Sequence, residues 1–360
     1  MGILSMGCHR STRSRSPRPQ PGRGATRRPT LGAVLPLISL ADLDTPDGRD
    51  RLAEVSRTVG FFYLTDHGVP VTLQEQIIDT ARRFFALPQA EKDAIAMVNS
   101  PHFRGYNRVG GELTNGRVDR REQIDIAPDR DPIPDATGPL RLQGRNQWPA
   151  ALPELKTAVA AYQHELARVS RTLLSRWAQA LGAAPDFFDD AFALPATLMK
   201  VVRYPARPAD DADTAGDQGV GAHKDSGVLT VLLAQEGSSG LQVERTDGTW
   251  IEAPPQPGAF IVNIGEMLEI ATDGRLVATR HRVITPPGSP ERLSIPYFYA
   301  PSLDAVMPRI PLPDGQASSV TADPDNPLFD TYGLNTWKSR TRAHPDVVAR
   351  WYPDEVVARV

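Results

Sequence analysis

The chain has 360 residues, of which 40% are apolar and 23% are charged. This composition is typical of a globular protein with a sizeable core, and it excludes a disordered or fibrous chain. No apolar run reaches the roughly 18 residues that a membrane-spanning helix needs. The single cysteine, Cys8, excludes a disulfide framework and a cysteine-based zinc cluster. We therefore expect a cytoplasmic protein that makes no membrane contact.

Charge is distributed unevenly along the chain. Residues 1–30 hold seven arginines and no acid, whereas the rest of the chain holds 33 basic and 43 acidic groups. A segment this rich in Ser, Pro, Gly and Arg cannot bury a core, so we predict a disordered basic tail over residues 1–30. The acidic remainder argues against a nucleic-acid-binding domain. Nothing in the sequence indicates an obligate protein partner.

Residues 31–194 carry mostly helical patterns. The clearest helix is predicted from Glu154 to Leu181, where apolar residues recur at spacings of three and four and Gly182 ends the pattern. A short strand is predicted over residues 61–64, where four large apolar residues precede a turn. This region is therefore expected to be an N-terminal, mainly helical part of the fold.

After residue 194 the pattern changes to short β-rich runs separated by Gly, Pro, Asp and Ser. The predicted strands cover residues 197–204, 228–234, 241–244, 250–252, 259–264, 277–284 and 293–299. Residues 206–220 are predicted to be a flexible loop. Many short strands favour a sandwich or barrel, and for an enzyme of this size a jelly roll. We predict an α+β fold with a mainly β core over residues 195–302, wrapped by helices that include one long one.

Two His-x-Asp pairs are the first candidates for chemistry. His223 and Asp225 stand just before a predicted strand, where residues i and i+2 of extended chain point to the same side, about 7 Å apart. His281 lies in another predicted strand and can supply a third ligand. Two histidines and one carboxylate on one face of a metal form the site of non-heme Fe(II) oxygenases. The second pair, His344 and Asp346, is interpreted as a turn in the C-terminal segment.

An Arg-x-Ser pair follows the third candidate ligand. Arg292 and Ser294 would share one face of a strand, so a guanidinium and a hydroxyl could together hold one carboxylate. A dicarboxylate that chelates iron at one end would need such an anchor at the other. The pair therefore predicts a site for an organic acid beside the metal.

These motifs occur together with others in both halves of the chain. The others are Gly60-Phe61-Phe62, Asp66-His67-Gly68-Val69, Phe84-Phe85-Ala86-Leu87-Pro88, Arg104-Gly105-Tyr106, Arg203-Tyr204-Pro205, Gly240-Leu241-Gln242-Val243 and Val262-Asn263-Ile264-Gly265. Taken together, the sequence resembles the isopenicillin N synthase-like family of Fe(II)/2-oxoglutarate-dependent oxygenases across nearly all of residues 34–350.

The resemblance implies a double-stranded β-helix (jelly roll) core and a set of site residues. It implies Fe(II) bound by His223, Asp225 and His281, with 2-oxoglutarate as co-substrate. Arg292 and Ser294 would anchor the 2-oxoglutarate, and Tyr204 falls where the family often places a tyrosine that binds it. Residues 303–360 are expected to cover the active site. Ascorbate is the expected reductant in vitro.

A local resemblance to the bacterial ethylene/succinate-forming enzyme concerns the substrate. Positions matching Glu112, Thr114 and Arg342 help to bind arginine in that enzyme, and Arg203 has an equivalent near the iron. Two positions differ from that enzyme: Ser226 replaces an aromatic residue, and Ser294 replaces a small apolar residue. A structural turn is an equally good explanation of Glu112 and Thr114, because Gly-rich loops often carry side-chain turn bonds.

Three enzymatic functions remain open on the sequence, and the intact set of His223, Asp225 and His281 disfavours a non-catalytic binding protein on the same scaffold. The first is an oxygenase in specialised metabolism that couples decarboxylation of 2-oxoglutarate to hydroxylation or desaturation of a small molecule by O₂. The second is ethylene formation from 2-oxoglutarate and arginine. The third is an oxidase like isopenicillin N synthase, which uses iron and O₂ without 2-oxoglutarate, because the Arg-x-Ser pair alone does not separate these chemistries.

Overall fold

A computed structural model of the chain describes residue 2 and residues 34–211, 216–313, 315–320 and 327–354. The predicted basic tail, residues 1–30, lies outside these ranges except for Gly2. Among the described residues, none of the helices combines the length and the apolar character that a segment crossing a bilayer requires.

Seven α-helices occur in the described residues. The predicted long helix is confirmed as α4, which ends one residue earlier than predicted, and Gly182 follows it with a φ of 81° that a side chain would strain. The helices are α1 (Pro46–Thr58), α2 (Val71–Phe85), α3 (Gln89–Asp93), α4 (Glu154–Ala180), α5 (Glu266–Ala271), α6 (Tyr332–Ala343) and α7 (Pro345–Trp351).

Fourteen strands of the described residues form three sheets. The strands are β1 (Leu37–Ser39), β2 (Phe61–Thr65), β3 (Gly105–Asn107), β4 (Leu113–Thr114), β5 (Arg117–Val118), β6 (Glu122–Ile126), β7 (Leu198–Tyr204), β8 (Gln218–His223), β9 (Leu229–Ala234), β10 (Leu241–Glu244), β11 (Trp250–Glu252), β12 (Phe260–Ile264), β13 (His281–Ile284) and β14 (Arg292–Tyr299). The large sheet has the order β1-β2-β12-β9-β14-β7-β6-β3, the small sheet the order β11-β10-β13-β8, and β4 and β5 form a hairpin.

The large sheet separates two apolar clusters. Alternate residues on its outer face, such as Ile124, Val201 and Ile295, join one large cluster with the buried face of α4. On its inner face, Val202 and Tyr204 share a second cluster with Val220 and Val283 of the small sheet. The two sheets therefore enclose an interior, and the α+β fold with a jelly-roll core is confirmed.

The predicted loop over residues 206–220 is wrong at its C-terminal end, and residues 212–215 of it lie outside the described ranges. The structure places Gln218–His223 in strand β8, which pairs with β13 in the small sheet. The sequence of this strand, Gln-Gly-Val-Gly-Ala-His, contains two glycines and one β-branched residue, which is a poor strand signal. Pairing with β13 outweighs this weak local preference. The strand β6 was also not predicted, although Gln123 and Asp125 alternate there with Ile124 and Ile126.

Candidate functional site

Strand pairing in the small sheet brings the two histidines together. His223 is the last residue of β8 and His281 the first of β13, and their Cα atoms are direct partners across the two strands. Asp225 follows two residues after His223. Its Oδ1 lies 3.5 Å from Nε2 of His223 and 3.7 Å from Nε2 of His281. The three side chains thus offer ligand atoms that all lie within 4.8 Å of one another.

Hydrogen bonds to the remaining atoms orient this triad. Nδ1 of His223 lies 2.8 Å from the carbonyl of Gly221, and Nδ1 of His281 lies 3.2 Å from that of Thr279. A proton on each Nδ1 leaves each Nε2 with a free lone pair toward the triad. The second oxygen of Asp225 accepts from Thr230 at 2.6 Å and from Asn263 at 2.7 Å. Two imidazole nitrogens and one carboxylate oxygen are the donor set that suits Fe(II).

The protonation states of His281 and Asp225 match the same donor set, whereas the adjacent Asp225 outweighs burial and raises the pKa of His223. Burial lowers the pKa of His281 to about 4, and the neighbouring His223 adds to this effect. Burial opposes ionisation of Asp225, but the imidazoles of His281 and His223 and the hydrogen bond from Thr230 hold the pKa of its carboxyl well below the usual range. At neutral pH, His281 is therefore uncharged and Asp225 ionised, as metal ligands must be.

The predicted anchor for 2-oxoglutarate lies on the inner face of the large sheet. Arg292 is the Cα partner of Tyr204 across β14 and β7, and its guanidinium lies 4.9 Å from the ring centre of Tyr204. Arg292 is 4% exposed and Ser294 is 3% exposed. Nε and Nη1 of Arg292 are buried and have no hydrogen-bond partner among the described residues. A buried guanidinium with two unpaired donors fits a carboxylate from a bound ligand.

One of the predicted substrate residues, Thr114, lies beside the triad. A Cβ added to Gly221, whose carbonyl holds His223, would lie 2.8 Å from Cγ2 of Thr114. Glu112, two residues earlier, is buried. Its carboxylate accepts hydrogen bonds from Lys200 at 2.7 Å and from Arg121 at 2.9 Å.

The structure does not bring Arg203 to the triad. Arg203 lies on the outer face of β7, opposite to Tyr204, where it pairs with Glu122 at 2.7 Å and with Glu291. The alternation of side chains along a strand sends it away from the inner face. Arg342 lies in α6 and is half-buried.

A network of buried charged residues adjoins the triad and was not recognised in the sequence. Besides Glu112, Arg121 and Lys200, it contains Asp119, Asp125 and Arg340. Arg121 also donates to Asp119 at 3.0 Å, Lys200 lies 3.6 Å from Asp125, and Arg340 of α6 pairs with Asp125. We name these six residues the polar cluster. The sequence does hold one signal for this network. Arg121, Gln123 and Asp125 occupy every second position before and along β6, as side chains on one face of a strand do.

Helix α6 connects the C-terminal segment to this region. Arg340 holds the polar cluster, Asn335 contacts the sulfur of Met267 in α5, and a Cβ on Gly227 would lie 3.8 Å from Cε2 of Tyr332. His344, from the second His-x-Asp pair, is buried between α6 and α7 with its Nε2 3.7 Å from Glu112. That pair is thus separate from the triad, while its histidine adjoins the polar cluster.

Comparison with known proteins identifies the family. Residues 35–151 match the model of the non-haem dioxygenase in morphine synthesis N-terminal region, and residues 196–301 match that of the 2OG-Fe(II) oxygenase superfamily. A 2-oxoglutarate-dependent dioxygenase of Dothideomycetidae sp. (strain 11243) is 36% identical over 321 residues, covering 82% of this chain and 85% of the relative. A homoarginine-6-hydroxylase of Glycine max is 37% identical over 262 residues, covering 71% and 78%.

Solved structures agree with this result. The crystal structure of JOX2 in complex with 2OG, Fe and JA superimposes with a TM-score of 0.68 at 28% identity, covering 91% of each chain. The dioxygenase for auxin oxidation of rice superimposes with a TM-score of 0.60 at 27% identity, over 78% of this chain and 88% of that one. The chain therefore belongs to the 2OG-Fe(II) oxygenase superfamily and is a non-heme Fe(II)- and 2-oxoglutarate-dependent dioxygenase.

Proposed function

We propose that Nε2 of His223, Oδ1 of Asp225 and Nε2 of His281 hold the Fe(II), and that Arg292 and Ser294 anchor the far carboxylate of 2-oxoglutarate. The unpaired, buried Nε and Nη1 of Arg292 carry this assignment, because a buried arginine without an acceptor is costly unless a ligand supplies one. Tyr204 lies against the same guanidinium and completes the anchor.

Bound Fe(II) supplies the activation of O₂ that couples oxidative decarboxylation of 2-oxoglutarate to oxidation of a small molecule. The protein's own residues fix the geometry of this coupling. Thr230 and Asn263 hold Asp225 so that one oxygen faces the metal position. Burial of Arg292 and Ser294 excludes water from the carboxylate anchor, which strengthens the charge-assisted hydrogen bonds made there.

The proposed substrate class is a free amino acid with a guanidino side chain, and the proposed reaction is hydroxylation. Four homoarginine-6-hydroxylases, from Glycine max, Oryza sativa subsp. japonica and Arabidopsis thaliana, are 33–37% identical to this chain. The proposed substrate contacts are Thr114 beside the triad, Glu112 two residues before it, and Arg342 on α6. A charged, buried environment of this kind favours a polar substrate over an apolar one.

Two alternatives receive less support. The named relatives are dioxygenases and hydroxylases, which disfavours both ethylene formation and an oxidase that does without 2-oxoglutarate. Ethylene formation also relied on Arg203 near the iron, and Arg203 faces the outer side of the sheet. A cytoplasmic location, a place in specialised metabolism and independence of a protein partner stay predictions from the sequence.

The test is an assay of the purified chain alone with Fe(II), ascorbate, 2-oxoglutarate and O₂. We expect succinate release to rise when L-homoarginine or L-arginine is added, together with a product that has gained one oxygen atom by mass spectrometry. Headspace sampling separates ethylene formation. Succinate that is independent of every amino acid tried would contradict the proposed substrate class, and O₂ consumption without need of 2-oxoglutarate would favour the oxidase.

A further inference from the structure

The inner face of the large sheet carries two similar pairs of side chains, one on each side of β7. Ser294 of β14 and Gln123 of β6 are both Cα partners of Val202, from opposite sides. Arg292 is the partner of Tyr204, and Arg121, directly before β6, continues the register of that strand toward Tyr204. An Arg-x-Ser pair and an Arg-x-Gln pair thus flank the same two residues.

Both arginines are buried and incompletely paired. Arg121 is 9% exposed, and its Nε has no hydrogen-bond partner among the described residues. Gln123 is 1% exposed and donates its amide to Asp125 at 2.7 Å, which leaves its Oε1 buried and equally without a partner in that part of the chain. One unpaired donor and one unpaired acceptor therefore lie on the same face, two residues apart.

The charge around the second pair differs from that around the first. Arg292 has no acidic side chain in hydrogen-bond contact among the described residues, so it is suited to an anion. Arg121 belongs to the polar cluster, in which Glu112, Asp119 and Asp125 balance Arg121, Lys200 and Arg340. A cluster that is already neutral gains little from a lone anion or cation, whereas a zwitterion adds one charge of each sign.

We propose that Arg121 and Gln123 recognise the α-amino-acid head of the primary substrate. Nε of Arg121 donates to the α-carboxylate, and Oε1 of Gln123 accepts from the α-ammonium. This inference rests on the proposed function, in which the substrate is a free amino acid. It assigns one residue to each charged group of the amino-acid head. The two pairs beside β7 then hold two carboxylates, one from 2-oxoglutarate and one from the substrate.

The experiment measures anaerobic binding to the protein loaded with Fe(II) and 2-oxoglutarate. The ligands are L-arginine, agmatine, which lacks the α-carboxylate, and δ-guanidinovalerate, which lacks the α-ammonium. We expect the wild-type protein to bind L-arginine roughly 10- to 100-fold more tightly than either analogue, the usual effect of a charge-assisted hydrogen bond.

Two variants assign each head charge to its residue. Arg121→Gln should weaken L-arginine binding by a similar factor and agmatine binding by much less, because agmatine lacks the α-carboxylate and is affected only through Glu112, a partner of Arg121. Gln123→Met, of similar size and without the acceptor, should weaken L-arginine binding and leave δ-guanidinovalerate binding unchanged. Binding of 2-oxoglutarate should stay the same in both. Arg120→Gln is the matched control, because the neighbouring Arg120 pairs with Asp211 instead.

The outcomes separate this inference from the proposed function. A wild-type protein that binds agmatine and L-arginine equally, or variants that weaken all ligands together, would overturn the head-group contacts and leave the oxygenase reaction intact. Another amino acid that binds better and still depends on Arg121 would overturn the guanidino preference and support the inference. If Arg121→Gln does not fold, the binding of L-arginine and of δ-guanidinovalerate to Gln123→Met decides the question. No binding of any amino acid would overturn both.

Discussion

The two faces of the large sheet are built from alternate residues of the same strands and serve different purposes. On the outer face, Val201 and Ile295 pack against α4 in a continuous apolar cluster. On the inner face, Arg292, Gln123 and Arg121 keep buried polar atoms without partners among the described residues. Unpaired polar atoms cost stability, so those on the inner face, beside the proposed metal ligands, indicate where a ligand can complete the structure. Mutations on the two faces should therefore have separable effects.

The largest expected effect on the inner face comes from Asp225→Ala. Loss of one of three proposed ligands should lower 2-oxoglutarate turnover by at least roughly 100-fold, since even outer partners of metal ligands are worth about 10- to 100-fold. Succinate release measures it. The control Asp346→Ala removes the exposed acid of the second His-x-Asp pair and should keep full activity. More than a small residual turnover in Asp225→Ala would exclude this ligand.

Leu166→Ala, in the apolar cluster on the outer face, should lower stability and leave catalysis unchanged. Leu166 is fully buried in α4, so the cavity left by truncation should lower the free energy of unfolding by about 2–5 kcal/mol. Denaturant unfolding measures this loss, and the kcat of the folded protein should not change. Leu194→Ala, at a residue that is 52% exposed, should leave the unfolding free energy nearly unaltered. A large fall in the kcat of folded Leu166→Ala would contradict the separation of the two faces.

Arg292→Gln should affect the binding of 2-oxoglutarate alone. Removal of the guanidinium should weaken 2-oxoglutarate binding by roughly 100-fold, because a charge-assisted, buried pair is lost. Anaerobic titration of the Fe(II)-loaded protein measures the Kd. Arg280→Gln is the matched control on an exposed side chain that pairs with Glu244. Equal 2-oxoglutarate affinity in Arg292→Gln would remove this residue from the anchor.

The smallest of these effects is expected from Thr230→Val. The change removes one hydrogen bond to Asp225 while keeping the shape of the side chain, so iron affinity should fall by about tenfold. Competition with a chelator measures it. Thr249→Val in the exposed turn between β10 and β11 should have no effect. Unchanged iron affinity would mean that Asn263 alone suffices to orient Asp225.

Spacing in the sequence was enough to predict the elements that carry strong local patterns. The apolar stripe of α4 and the His-x-Asp pair before β9 are local signals, and the structure has both where they were expected. The polar cluster was not predictable in this way. Glu112, Lys200 and Arg340 come from a loop, a strand and a helix far apart in the chain, and only the tertiary fold brings them together.

Strand orientation explains the remaining differences. Arg203 and Tyr204 are adjacent in the sequence, yet they face opposite sides of β7, and only the pairing of Tyr204 with Arg292 shows which side is the interior. Asn263 lies inside a recognised motif, but its contact with Asp225 depends on a tertiary approach. The motifs thus indicate where the site lies, and the strand pairing determines which of their residues face it.

The order of the large sheet has a consequence for how the protein is made. Strand β2, near the start of the chain, pairs with β12, where Phe61 is opposite Asn263 and Leu64 opposite Phe260. During synthesis, the N-terminal helices leave the ribosome long before that partner strand exists. Contacts this distant in sequence slow folding and leave apolar strands exposed in the meantime. We therefore expect the N-terminal half to stay incompletely folded and prone to aggregation during synthesis, until β12 and β14 have emerged from the ribosome.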